Sequence, residues 1–132
     1  ASAAAGCSFA ISPGATPALY HAADASPIAW LPAVATASEV MQGLAHGHQR
    51  FKFFPAVSSG GIPALKGFAG PFPQVRFCPT GGIDATSAPD FLALPNVGTV
   101  GGSWMLPKDA IAGGDWARLE RLAREAAGLR PR

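Results

Sequence analysis

Lys52 stands in the run Arg50-Phe51-Lys52-Phe53-Phe54-Pro55, a single amine set among aromatic rings. Successive residues of a strand face opposite ways. A strand here sends Phe51 and Phe53 to one side and Lys52 and Phe54 to the other. A lysine held in an interior beside Phe54 is desolvated, which disfavours its ammonium form. A neutral amine can attack a carbonyl and form a Schiff base. The competing reading is an edge-strand lysine that blunts aggregation.

Two further motifs point to anion chemistry. They are Pro79-Thr80-Gly81-Gly82-Ile83 and Gly101-Gly102-Ser103-Trp104. Paired glycines let backbone N–H groups approach an anion closely, and a helix N-terminus just after such a loop adds partial positive charge. Other candidates carry less. His46-Gly47-His48 places two imidazoles at i,i+2, which do not share a helix face, and no third ligand is near in sequence. A surface loop or helix end is expected there, and no metal site. Ser58-Ser59-Gly60-Gly61 reads as a substrate loop or a linker. Trp30 and Trp104 read as core, and Cys78, on the face of Thr80, as packing.

The elements that position these residues recur. Apolar runs ending in Pro or Gly begin at 9, 28, 51, 75 and 97, so their starts are 19 to 24 residues apart. That spacing suits a strand followed by a crossover helix. The intervening segments predict helices. One covers Thr16 to Ala25. A second is capped by Thr36 or Ser38 and runs through Gly43 to His46. A third spans Ile62 to Phe68, and a fourth is capped by Asp84 or Thr86 and runs to Leu94. A last helix, capped by Asp115, presents Trp116, Leu119, Leu122 and Ala126 as a buried stripe, with Glu120–Arg124 and Arg121–Glu125 as i,i+4 pairs. Alternating β and α with near-continuous apolar strands predicts an α/β fold with a parallel sheet covered by helices. An open doubly wound sheet and a (β/α)8 barrel both satisfy this. The two Gly-Gly loops after the last two strands favour the barrel, whose phosphate sites commonly lie there. Five strands do not close a barrel of eight. The expectation for 1–132 is therefore an incomplete single domain, about strands 4–8 of a (β/α)8 barrel and their helices.

Composition narrows the function classes. With 48% hydrophobic and 14% charged residues the chain is not a disordered one. The formal charge of +2 is spread out, so no nucleic-acid partner is expected. No apolar run has the length of a membrane span, so no membrane partner is expected either. Cys7 and Cys78 read as buried thiols of a cytosolic protein, with a disulfide as the alternative. The Ala-rich start lacks the basic residues of a signal peptide. The absent initiator Met suggests a chain that begins partway through a larger protein.

Taken together, Phe51 to Ala56, Gly70 to Ile83 and Gly101 to Trp104 strongly resemble the 2-keto-3-deoxy-6-phosphogluconate (KDPG) and 4-hydroxy-2-oxoglutarate (KHG) aldolases, and Phe9 to Gly14 resembles the end of that family's fourth strand. The resemblance spans almost the whole chain. It implies a cytoplasmic class I aldolase on a (β/α)8 barrel, a homotrimer when full length, without metal or cofactor. Such an enzyme cleaves the phosphorylated keto-deoxy sugar acid to pyruvate and glyceraldehyde 3-phosphate in the Entner–Doudoroff pathway, and many members also act on 4-hydroxy-2-oxoglutarate. By position, Lys52 corresponds to the Schiff-base lysine and Thr80 to the threonine near the pyruvate carboxylate. Phe54 and Pro13 correspond to the lining of the pyruvate pocket. Gly81, Gly82, Gly102 and Ser103 correspond to the phosphate loops.

Two departures stand out. Val57 occupies a position where family members usually carry an acid. The family's general-base glutamate and carboxylate-binding arginine belong to early strands that this sequence lacks. The acids present, Asp24, Glu39, Asp84, Asp90, Asp109, Asp115, Glu120 and Glu125, fall in helical segments, at their caps or on the opposite rim. None is placed for proton transfer, so the chain by itself is expected to be inactive. The alternatives are the galactonate-type aldolase, which shares the lysine and phosphate site, and a non-catalytic phosphate-binding half-barrel.

Overall fold

A computed structural model describes residues 2–131. After a short 3-10 turn at Ala3–Ala5 the elements are β1 (Phe9–Ile11), α1 (Pro17–Asp24), β2 (Ala29–Leu31), β3 (Ala33–Val34), α2 (Ala37–Ala45), β4 (Arg50–Phe53), α3 (Gly61–Ala69), β5 (Arg76–Pro79), α4 (Ala88–Leu92), α5 (Lys108–Ala112) and α6 (Trp116–Ala127).

All strand pairs are parallel: β1 with β2, β3 with β4, and β4 with β5. The run expected as one strand from Ile28 to Pro32 is divided at Pro32 into β2 and β3. Proline has no N–H to give to a ladder. Its carbonyl still accepts from Lys52 N–H at 2.9 Å, so the 29–34 stretch serves β1 with its first half and β4 with its second. The strands form two sheets, β1-β2 and β3-β4-β5, and within each every strand lies beside its predecessor in the chain. The order never reverses, unlike the order at the switch point of a doubly wound sheet. The expected strand at Val97 to Gly102 is not a regular one. It touches β5 only through isolated bridges, Phe77 with Val97 and Thr80 with Gly101. Three glycines in that stretch leave it few side chains to pack.

One face of the sheet makes the core. Val34, Phe51, Phe53 and Phe77 are buried against Val40 of α2, Leu65 of α3 and Phe91 of α4. The rings of Phe53 and Phe77 lie 6.3 Å apart edge-on, and Phe68 stacks on Phe77 at 5.6 Å. Each such buried phenyl contributes roughly 2–3 kcal/mol. Buried Asn96 ties the outer stretch to this core. Its Nδ2 donates to Leu65 O at 2.8 Å, and its backbone carbonyl accepts from Phe77 N–H at 2.8 Å. The other face stays open: Phe9 is 62% and Ile11 49% exposed.

Local sequence explains most helix boundaries. Thr16 caps α1. Thr36, of the two expected caps, opens α2 in a capping box with Glu39. Burial pushes the Glu39 carboxyl up, but hydrogen bonds from Ala35 N (2.7 Å) and Thr36 N (2.9 Å) and from the Thr36 hydroxyl outweigh it and hold the group below its ordinary range. Asp84 builds the turn before α4, accepting from Thr86 and Ser87 N–H, while Ser87 takes the cap position. Asp115 caps α6, whose two expected ion pairs form at 2.6 Å and 3.8 Å. The stripe of α6 is not buried, however. Leu119, Leu122 and Ala126 are half-buried and Trp116 is 68% exposed. Periodicity marks an apolar face without supplying the surface that covers it. Helix α5 was not expected, being one turn long and begun after Pro107.

Gly43 sits where α2 meets the sheet. A Cβ there would strike the Phe51 ring and lie 3.0 Å from the Tyr20 hydroxyl. Gly67 of α3 has nothing within 4 Å. Gly43→Ala is expected to destabilise the chain by about 1–3 kcal/mol through overpacking. Gly67→Ala is expected to stabilise it by up to about 1 kcal/mol through helix propensity. Paired thermal melts check this, and equal shifts would contradict the packing described.

Candidate active site

The register of β4 decides where Lys52 goes. Phe51 and Phe53 are fully buried, so alternation turns Arg50 and Lys52 to the open face. Lys52 is half-buried there rather than enclosed, which corrects the expectation of an interior amine. Its register partners are Ala33 on β3 and Cys78 on β5, both uncharged. Its Nζ lies 4.4 Å from the centre of the Phe54 ring, a cation–π distance. Among the described residues Lys52 enters no ion pair. Glu39, Asp84, Asp109 and Asp115 are engaged in caps, turns or a bond to Arg118.

Thr80 follows β5 on the same face, two residues beyond the partner of Lys52. That is about 7 Å along the strand direction and about 5 Å across. Its backbone is clamped: Thr80 N donates to Phe53 O at 2.9 Å, and Ala56 N donates to Thr80 O at 2.8 Å. Its hydroxyl donates to Cys78 O at 3.3 Å and lies 3.8 Å from Cys78 Sγ. Burial pushes the Cys78 thiol up, against the hydrogen bond from Thr80 and the charge of Lys52, so it stays protonated at neutral pH.

Beyond Thr80 the chain needs glycine. Gly81 and Gly82 have φ of +104° and +78°, conformations that side chains disfavour. A Cβ on Gly81 would press on Phe54 at 3.3 Å, and one on Gly102 would enter the Trp104 ring. Gly101 passes so close to Thr80 that a Cβ would meet its side chain. The two glycine loops are therefore adjacent, at the edge where the strands end. Ser103 is exposed beyond them. Pro13 lies past β1 on that edge, with the 29–34 stretch between it and β4.

The structure thus gathers Lys52, Phe54, Thr80, Gly81 and Gly101-Gly102, and sets Pro13 and Ser103 at the margins. The Cys78–Thr80 contact and the Ala33 neighbour were not foreseen. Cys78 reads as packing from sequence alone, because its place opposite Lys52 depends on a strand register not visible in one strand's residues. The thiols also differ from expectation. Cys7 is exposed, Cys78 is half-buried, and the two are not bonded. Trp30 and Trp104, expected as core, are half-buried; Trp30 donates to Ser12 Oγ at 3.0 Å and Trp104 packs against the core rim. His46 ends α2 and stacks on Tyr20 at 4.4 Å. A cavity of about 650 Å³ opens at the other ends of the strands, lined by Phe9, Trp30, His48, Arg50 and Arg76. It contains none of the candidate residues and follows from the uncovered sheet face.

The family model described as KDPG and KHG aldolase matches residues 1–122. The 2-dehydro-3-deoxy-phosphogluconate aldolase of Pseudomonas aeruginosa is 56% identical over 122 residues, covering 92% of this chain and 56% of that protein. The KHG/KDPG aldolase of Escherichia coli is 52% identical, covering 92% of this chain and 57% of its own length. A crystal structure of Legionella pneumophila KDPG aldolase, with pyruvate captured as a covalent carbinolamine, is 50% identical with a TM-score of 0.91, covering 94% of this chain and 60% of that one. The Zymomonas mobilis aldolase with 3-phosphoglycerate is likewise 50% identical, with a TM-score of 0.90, over 98% of this chain and 60% of that one. The chain spans a little over half the length of the curated relatives it matches.

The thiol environments give a direct check on this geometry. Iodoacetamide is expected to alkylate exposed Cys7 well before Cys78, whose thiolate is scarce. Faster labelling of Cys78, followed by peptide mass spectrometry, would contradict its described surroundings.

Proposed function

The chain belongs to the KDPG and KHG aldolase family, and from that premise we propose that it carries the Schiff-base half of a class I aldolase acting on 2-keto-3-deoxy-6-phosphogluconate, and also on 4-hydroxy-2-oxoglutarate. The observation that carries the reading is the placement of Lys52. It is an amine between two uncharged strand neighbours, outside any ion pair among the described residues, below Thr80 and on the edge where both glycine loops lie. In this reading residues 1–132 are the C-terminal part of a (β/α)8 barrel, about strands 4–8. Parallel strands laid down in chain order and relatives nearly twice as long support it.

Lys52 Nζ attacks the C2 ketone, and loss of water from the carbinolamine leaves an iminium. A base removes the C4 hydroxyl proton. The C3–C4 bond then breaks, its electrons flow into the iminium, and glyceraldehyde 3-phosphate departs. Protonation of the enamine at C3 and hydrolysis release pyruvate and return Lys52. Thr80 and Phe54 hold the pyruvyl end, with Pro13 at the pocket margin. The backbone N–H groups of Gly81, Gly82 and Gly102 and the Ser103 hydroxyl receive the phosphate. Among the described residues no carboxylate pairs with Lys52, and in this reading the base is supplied by chain outside them. The family resemblance adds a cytoplasmic homotrimer, and no step needs a cofactor.

The test uses a chimera in which the matched segment of this chain replaces its counterpart in the Pseudomonas aeruginosa relative. Pyruvate followed by borohydride is expected to leave one adduct, on Lys52. Lys52→Arg is expected to abolish both trapping and turnover, because a guanidinium stays charged. An adduct on Lys66, Lys108 or the relative's own segment would sink the assignment.

A further inference from the structure

Thr80 has a donor problem. In the structure its hydroxyl proton is directed to Cys78 O at 3.3 Å. A keto acid's carboxylate is bonded directly to the carbon that Lys52 attacks, and a carboxylate only accepts. To bind it, the Thr80 hydroxyl must turn its single proton outward, away from Cys78 O. One neighbour can compensate the oxygen for that turn. Cys78 Sγ lies 3.8 Å from Thr80 Oγ1, where either atom can donate. The same cysteine is the register partner of Lys52, on the strand that leads to Thr80.

We infer that Cys78 is a positioning residue for the substrate carboxylate: its S–H donates to Thr80 Oγ1 and so directs the Thr80 proton to the keto acid. The inference rests on the reading of Lys52 as the imine-forming residue. Burial keeps the thiol protonated and able to donate. The alternative sources of such a donor are few. Ala33, on the other side of Lys52, has no side-chain proton to give, and Gly101, across from Thr80, has no side chain. A chain S–H to O–H to carboxylate also polarises along its length, so the outer bond strengthens when the inner one forms.

In the chimera, imine formation is read by borohydride trapping over a range of pyruvate concentrations. Cys78→Ala is expected to raise the half-saturating pyruvate concentration about fivefold, with the limiting rate unchanged, as loss of one hydrogen bond implies. Cys78→Ser, which keeps a donor, is expected to restore most of it. Acetone, which has the ketone and no carboxylate, is expected to be trapped equally by all three proteins. In a Thr80→Val background the alanine change is expected to add nothing. Wild-type behaviour of Cys78→Ala, equal losses on pyruvate and acetone, or an additive loss in the Thr80→Val background would each overturn the inference. Failure of the unsubstituted chimera to trap pyruvate at Lys52 would overturn the functional reading itself. Normal trapping with no Cys78 effect overturns this inference alone.

Discussion

The parallel register of β4 is the constraint on which the rest depends. Lys52 N–H donates to Pro32 O, and Phe54 N–H to Val34 O, on one side. On the other, Arg50 to Phe53 pair residue by residue with Arg76 to Pro79. The burial of Phe51 and Phe53 locks that register, because a slip of one residue would send both rings to the open face and Lys52 into the core. An ammonium in that core would cost several kcal/mol, and two lost phenyl burials would add roughly 4–6 more. The amine is therefore placed by the aromatic residues beside it.

The edge where the strands end is built on a second constraint, the absence of side chains. Gly101 runs against Thr80, Gly81 against Phe54, and Gly102 against Trp104. At Gly101 and Gly102 a methyl group would not fit, and at Gly81 it would be tight in a backbone conformation that side chains disfavour. The loops that result are close to one another and held from beneath by Asn96, which joins the 97–101 stretch to α3. That closeness puts both loops on the same edge as Lys52, and the proposed phosphate role rests on it.

Much of this was legible in single residues. The alternation at 51–54 gives the faces of β4 directly. Thr36 with Glu39, and Asp115 ahead of Trp116, mark helix starts that form as read. What was not legible depends on partners distant in sequence. Pro32 looked like a strand end, yet its carbonyl still serves β4. Trp116 is the exposed end of an apolar stripe that the described residues cover only in part. Lys52 was expected in an interior, but its face of the sheet is open. Cys78 looked like filler because its place opposite Lys52 arises only when β5 pairs with β4.

The central claim is that one sheet face brings the Lys52 amine and the Thr80 hydroxyl to a single keto acid. The most direct measurement is a crystal structure of the chimera after pyruvate and borohydride. The account predicts continuous density from Lys52 Nζ into a three-carbon adduct, with its carboxylate accepting from Thr80 Oγ1 at about 2.7 Å. Density on another lysine, or an adduct on Lys52 whose carboxylate points away from Thr80, would contradict it.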